Sequence, residues 1–343
     1  MKAAELTGIG QFRLVDQEIG DPGPGQVQVK VAAVGICGSD LHNFSEGGIA
    51  DSPCKFPAVL GHEPSGVVVK TGVGVMGIDP GDHFALEPAI ACGECELCKL
   101  GRENLCNNMM FMSAQGVPGF FCERVNMPAH NLTPIPKHVG LREATLVEPL
   151  GVALHSLTFA HVKAGETAVV YGTGPIGLLT IAALKAAGVS RVWAVEPLDY
   201  RRDMATAMGA DVVLTTEQPV NEIMKDTANR GVDLAFDCAG GPDTVNDCIL
   251  SLAKCGRLVY TAVPVDKYIP CYGPAMRKKE ISFFNVYRSN HQSERARDLL
   301  AEKVTMFAPL LTHSRPIAKI QEAFEMNHRY ADGIGKMLVM PGE

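Results

Sequence analysis

The chain has no surplus of positive charge. Lysine and arginine number 31 against 38 aspartates and glutamates, for a net charge of -7. Binding nucleic acid without regard to sequence needs a basic surface, so that function class is set aside. Long apolar runs are also missing. The most apolar stretch, Pro175 to Val189, is interrupted by Gly177, Lys185 and Gly188 and is too short to span a bilayer. The opening residues Met1 to Leu6 carry no apolar signal-peptide core, so a cytoplasmic location away from membranes is the expectation. In that compartment the eleven cysteines are read as thiols and metal ligands rather than disulfides. There is no internal repeat and no low-complexity linker. At 343 residues the chain is too long for one small core, and two domains are expected.

What the sequence does hold is concentrated. Cys92, Cys95, Cys98 and Cys106 fall within fifteen residues. Four thiolates satisfy a tetrahedral Zn2+, and short spacers let one loop wrap the ion. Because four protein ligands leave no open position, this site is expected to be structural.

The texture changes near residue 150. Before it, alternating Val27-Gln-Val-Lys-Val31 and the run Gly66-Val-Val-Val-Lys70 read as strands, punctuated by turns at Asp21-Pro-Gly-Pro-Gly25 and Asp79-Pro-Gly-Asp82. After it, strands at Thr167–Tyr171, Arg191–Val195, Asp233–Asp237 and Arg257–Thr261 alternate with helices at Pro175–Ala187 and Tyr200–Met208. That alternation implies a parallel sheet with helices on both faces. Beyond residue 285 it stops. Helices at Ser293–Glu302 and Ile317–Met326 and a strand at Lys336–Met340 follow, and this tail is expected to return to the first domain.

Gly172-Thr-Gly174-Pro175-Ile176-Gly177 lies between a predicted strand and a predicted helix. Its first glycine suits a tight turn, its second a close backbone approach to a pyrophosphate, and its third tight helix–strand packing. The helix N-terminus presents free N–H groups to phosphate. Glu196, closing the next strand, is placed to accept hydrogen bonds from the adenosine ribose and to repel a 2'-phosphate, which favours NAD over NADP. Arg201 and Arg202 close by pull slightly the other way.

A catalytic zinc needs three protein ligands and a vacancy. Cys37 in Gly35-Ile-Cys37-Gly-Ser39-Asp-Leu-His42, and His62 with Glu63, are candidates, although each residue type alone is also ordinary core filling. Met109, Met110 and Met112 are read as loop or core packing rather than metal ligands. Cys238, Cys248 and Cys255 are expected to be buried, and His130, His138 and His313 have no ligand-like partner in the pattern.

Taken together, Gly61-His-Glu63-x2-Gly66-x5-Gly72-x2-Val75, the Cys37 to His42 segment, the quartet and the glycine loop resemble the zinc-containing medium-chain alcohol dehydrogenases over essentially the whole chain. The resemblance implies an α/β protein: a GroES-like β-rich catalytic domain over 1–149 and 286–343, and a Rossmann domain over 150–285. It implies one catalytic and one structural zinc per chain. Leu146-Val-Glu148-Pro-Leu-Gly-Val-Ala-Leu-His155 is similar to the sorbitol and polyol dehydrogenase branch, which makes Glu148 the third zinc-site residue beside Cys37 and His62, with Glu63 as an alternate ligand. By the same resemblance, Ser39 and His42 relay a proton, and Arg288 contacts substrate hydroxyls. Ser289 and Asn43 stand where the polyol enzymes carry aromatics, so sorbitol itself is not implied. The activity implied is transfer of hydride from a small secondary alcohol, a polyol or sugar derivative, to NAD, giving a ketone, in a homodimer or homotetramer. The alternatives are a threonine-type amino-alcohol dehydrogenase and a noncatalytic nucleotide-binding protein on the same scaffold. The second lacks the Cys37, His62 and Glu148 set.

Overall fold

The computed structural model describes residues 1–49, 52–264 and 267–343. The chain divides into two compact units, Met1–Glu148 with Ser293–Glu343, and Pro149–Gln292. The second crossing falls at Ser293, where residue 286 was expected; Val286 N–H still donates to the Tyr260 carbonyl of the parallel sheet at 3.0 Å.

In the first unit, β1 (Lys2–Gly8) and β2 (Gln11–Asp16) form an antiparallel hairpin. The longest strand, β3 (Gln26–Gly35), buries Val27, Val29, Val31 and Val34 completely, and Gln28 is buried as well, so its alternation is less clean than the sequence suggests. Helix α1 (Gly38–Glu46) follows at once. Strands β4 (Glu63–Thr71), β5 (His83–Leu86), β6 (Arg124–Pro128) and β7 (Leu132–Pro134) then complete the N-terminal part of the main sheet. Helix α2 (Val147–Ala160) carries Glu148 in its first turn.

The second unit is a strand–helix alternation: β8 (Thr167–Tyr171), α3 (Pro175–Ala186), β9 (Arg191–Val195), α4 (Asp199–Ala207), β10 (Val212–Leu214), β11 (Val232–Asp237), α5 (Pro242–Ser251), β12 (Leu252–Tyr260) and β13 (Ser282–Asn285). All neighbours are parallel, in the order β10-β9-β8-β11-β12-β13, which is the doubly wound order 3-2-1-4-5-6. Tyr171, Trp193 and Phe236 fill this core. Trp193 Nε1–H donates to Asp226 Oδ2 at 3.0 Å, so the buried indole leaves no donor unmet. The expected strand from Arg257 in fact begins at Leu252. Its pairing with β11 skips a stretch between Leu252 and Arg257. Cys255 lies in that irregularity at φ 61° and is exposed, contrary to expectation; Cys248 is buried and Cys238 half-buried.

The tail returns to the first unit as α6 (Ser293–Glu302), β14 (His313–Pro316), α7 (Ile320–His328) and β15 (Met337–Met340). Helix α7 starts three residues later than expected, after a 3-10 turn at Ile317–Lys319. The main sheet runs β7-β5-β4-β3-β15-β14, with β6 also pairing β3. Gly35 is its pivot: it faces Glu63 on β4 and Leu338 on β15. Residues from the two ends of the sequence therefore meet beside the end of β3. Among the described residues, no helix is long and apolar enough to cross a membrane.

Candidate active site and metal centres

The cysteine quartet forms a closed cage. Its Sγ–Sγ separations are 4.0 Å for Cys92–Cys98, 3.5 Å for Cys95–Cys98, 3.9 Å for Cys95–Cys106 and 3.5 Å for Cys92–Cys106. A tetrahedron with Zn–S bonds of about 2.3 Å has edges of about 3.8 Å, so the four sulfurs fit the ion. Cys95 opens the short helix Glu96–Lys99, which turns Cys98 inward. Backbone N–H groups support the thiolates: that of Cys92 lies 3.3 Å from Cys106 Sγ, and that of Asn108 3.4 Å from the same sulfur. Hydrogen bonds from the backbone N–H groups of Glu94 and Cys95 bring the Cys92 thiol down to about 6.

A second cluster lies at the end of β3. Donor atoms of Cys37, His62 and Glu63 fall within 4.8 Å of one another. Cys37 is the residue before α1, while His62 and Glu63 open β4. A thiolate, an imidazole and a carboxylate make a zinc-type donor set. Glu148 lies outside this tight set but close enough to interact with His62 and Glu63; burial raises its carboxyl to about 8, with His62 opposing and Glu63 and Glu87 reinforcing the rise.

Sequence reasoning missed two residues here. Asp40, 1% exposed, places Oδ1 3.4 Å from His62 Nδ1. The same carboxylate accepts the N–H of Gly61 at 3.2 Å and, through Oδ2, that of Cys37 at 3.0 Å. It thus fixes two candidate ligands at once and leaves His62 Nε2 for a metal. Burial alone would lower the His62 pKa, but Asp40 and Cys37 hold it well above the usual imidazole range. Asp40 is the third residue of α1, and its side chain reaches back to the start of that helix. The other is Lys336, 2% exposed, whose ammonium pairs with Glu63, itself 1% exposed. Only its position before an otherwise apolar strand hinted at it.

Ser39 Oγ lies 3.5 Å from His62 Nε2, and His42 Nδ1 lies 2.9 Å from Glu46 Oε1 on the outer face of α1. Arg288 belongs to the other unit, where it takes a left-handed backbone and its guanidinium lies 4.7 Å from the Tyr287 ring centroid. Met112 packs into the core and Met110 is exposed.

The glycine loop has the shape a pyrophosphate needs. Gly172 adopts φ 83°, and a Cβ on Gly177 would stand 1.9 Å from the Gly172 carbonyl oxygen, so neither tolerates a side chain. A Cβ on Gly174 would meet only Arg201, at 3.9 Å, so the backbone there is open to approach. Pro175 then starts α3, whose first turn has no side-chain cap, and Ile176 follows within that turn. Glu196 follows β9 directly, 3% exposed. Arg202 is engaged by the carbonyls of Glu196 at 2.9 Å and Pro197 at 2.7 Å, and by Asp199. The residues present fit a dinucleotide.

Comparison with known proteins identifies the family. The alcohol dehydrogenase GroES-like domain family matches residues 23–137, and the zinc-binding dehydrogenase family matches 175–302. The chain is 31% identical to a sorbitol dehydrogenase of Bacillus subtilis, covering 99% of this chain and 97% of that one. It is 34% identical to an L-threonine 3-dehydrogenase of Pyrococcus horikoshii, covering 95% and 94%. A solved 2R,3R-butanediol dehydrogenase from Bacillus subtilis superposes with a TM-score of 0.90 at 32% identity, over 99% of each chain. The chain belongs to the zinc-dependent medium-chain alcohol dehydrogenases, in their polyol branch, and is an oxidoreductase that uses zinc and a nicotinamide cofactor.

Proposed function

We propose that this enzyme oxidises a secondary hydroxyl of a polyol or sugar-derived compound to a ketone with NAD, as a cytoplasmic homodimer or homotetramer. The observation that carries the reading is the set of half-buried Cys37 with buried His62 and Glu63, and Glu148 beside it. A carboxylate in the third position, where a thiolate would stand in the ethanol-type enzymes, is the feature shared with the polyol branch. Bound zinc supplies Lewis acidity that lowers the pKa of a hydroxyl, and NAD supplies the hydride acceptor. Cys37, His62 and Glu148 hold that ion, and Glu63 is the alternate carboxylate, kept in reserve by Lys336. A second zinc occupies the quartet. Ser39 and His42 carry the released proton outward, and Glu46 holds the His42 ring at the protein surface. Arg288 contributes a donor to the substrate's other hydroxyls.

The test is a panel of polyols, diols, sugar acids and L-threonine, read as NAD reduction by the wild type and by Cys37→Ser. Polyol or diol turnover is expected to exceed threonine turnover, and Cys37→Ser is expected to lose about a thousandfold or more, the scale of losing a metal's transition-state stabilisation. Threonine as the best substrate would replace the polyol reading. Undiminished turnover by Cys37→Ser would remove the assigned metal site.

A further inference from the structure

Thr173 is the middle residue of Gly172-Thr173-Gly174 and is completely buried. Its backbone N–H donates to Glu196 Oε2 at 2.8 Å. Any residue could supply that bond. The hydroxyl is particular to this residue: Oγ1 lies 3.1 Å from the same Glu196 oxygen and 3.3 Å from the carbonyl oxygen of Arg201. One hydroxyl proton serves both acceptors, so the bond is shared between the end of β9 and the first turn of α4. The other carboxylate oxygen, Oε1, accepts the N–H of Leu198 at 3.2 Å. Three donors therefore hold a carboxylate that is 3% exposed.

In the doubly wound fold an acidic residue at this strand end receives the ribose hydroxyls. A carboxylate can make room for a 2'-phosphate only by swinging aside, and here swinging aside breaks the bonds to Thr173 and Leu198. The neighbouring Arg202, a natural phosphate ligand, is engaged by two carbonyls and Asp199. We propose that Thr173 is a specificity-determining positioning residue, whose buried hydroxyl locks Glu196 in the orientation that accepts an unphosphorylated adenosine ribose and rejects a 2'-phosphate. This rests on the reading that the enzyme prefers NAD.

The test is direct binding of NADH and NADPH to the full chain by calorimetry, with wild type, Thr173→Val and Thr173→Ser, alongside thermal melting. The wild type is expected to prefer NADH. Thr173→Val, which keeps the branched shape and removes the hydroxyl, is expected to weaken NADH about tenfold, the scale of a hydrogen bond to a charged group. Its NADPH affinity should move by no more than about twofold on the same scale, so the preference falls. Thr173→Ser should restore the wild-type ratio. Should the valine variant fail to fold, Thr173→Ala carries the same expectation. A purely packing role would lower the melting temperature and leave the ratio of the two affinities unchanged, and that result overturns the proposal while leaving the NAD preference standing. A wild type that favours NADPH overturns both.

Discussion

At the scale of single residues, the buried pair Lys336 and Glu63 carries the sharpest consequence. Both are within 2% of complete burial, and they lie 273 positions apart in sequence. An ion pair taken out of water is held together only while both partners are present; removing one leaves an uncompensated charge. Lys336→Met is therefore expected to destabilise the metal-free protein by about 3–5 kcal/mol, read as a lower urea midpoint. A change of less than about 1 kcal/mol would mean that the ion pair does not set the role of Glu63. Asp40 acts differently, by fixing the orientation of Cys37 and His62. Cys37, His62 and Glu63 were legible as candidate ligands from the kinds of atom they carry. Asp40 and Lys336 were not, because a carboxylate or an ammonium becomes a support only when folding places a ligand against it.

At the scale of elements, the end of α5 shows how one side chain closes a helix. Lys279 Nζ donates to the carbonyls of Ile249, Leu250 and Leu252 at 3.1, 2.7 and 2.6 Å. These are the acceptors a helix C-terminus leaves unmet, and a cation there also opposes the negative end of the dipole. Lys279→Met keeps the aliphatic stem and removes the donors. It is expected to cost about 1–3 kcal/mol, seen in chemical denaturation and in faster amide exchange at the end of α5. Unchanged exchange there would argue that water replaces the ammonium at no loss. The central strands of the second unit were readable because each carries a continuous buried apolar run, as at Ala168 to Tyr171 and Val192 to Val195. Where the pairing skips, around Cys255, periodicity failed: an irregular strand turns outward a side chain that composition had assigned to the interior.

For the whole molecule, the proposal that both donor sets of one unit hold zinc carries its own prediction. Elemental analysis of the purified enzyme is expected to give about two zinc per chain, with Cys37→Ser reduced to about one. Chelation should empty the cluster at Cys37 first, because three protein ligands hold an ion less firmly than four. Slower loss from the quartet should loosen the segment around Cys92 to Cys106 in hydrogen exchange, leaving β8 through β13 unchanged. A single zinc in the wild type, retained by Cys37→Ser, would leave the quartet as the one metal site.

The sequence by itself determined whatever is local. Four cysteines within fifteen residues can wrap an ion without help from the rest of the chain. A glycine loop between strand and helix needs no distant partner to take its shape. Only the tertiary structure decided the candidate catalytic centre, because its members are dispersed from Cys37 to Lys336. They meet because β3 pairs with β4 on one side and with the last strand on the other, bringing Glu63 and the start of β15 to the two flanks of Gly35. Likewise, Thr173 sat in plain view inside the glycine loop. Its tie to Glu196 exists because parallel pairing of β8 and β9 brings the two strand ends level.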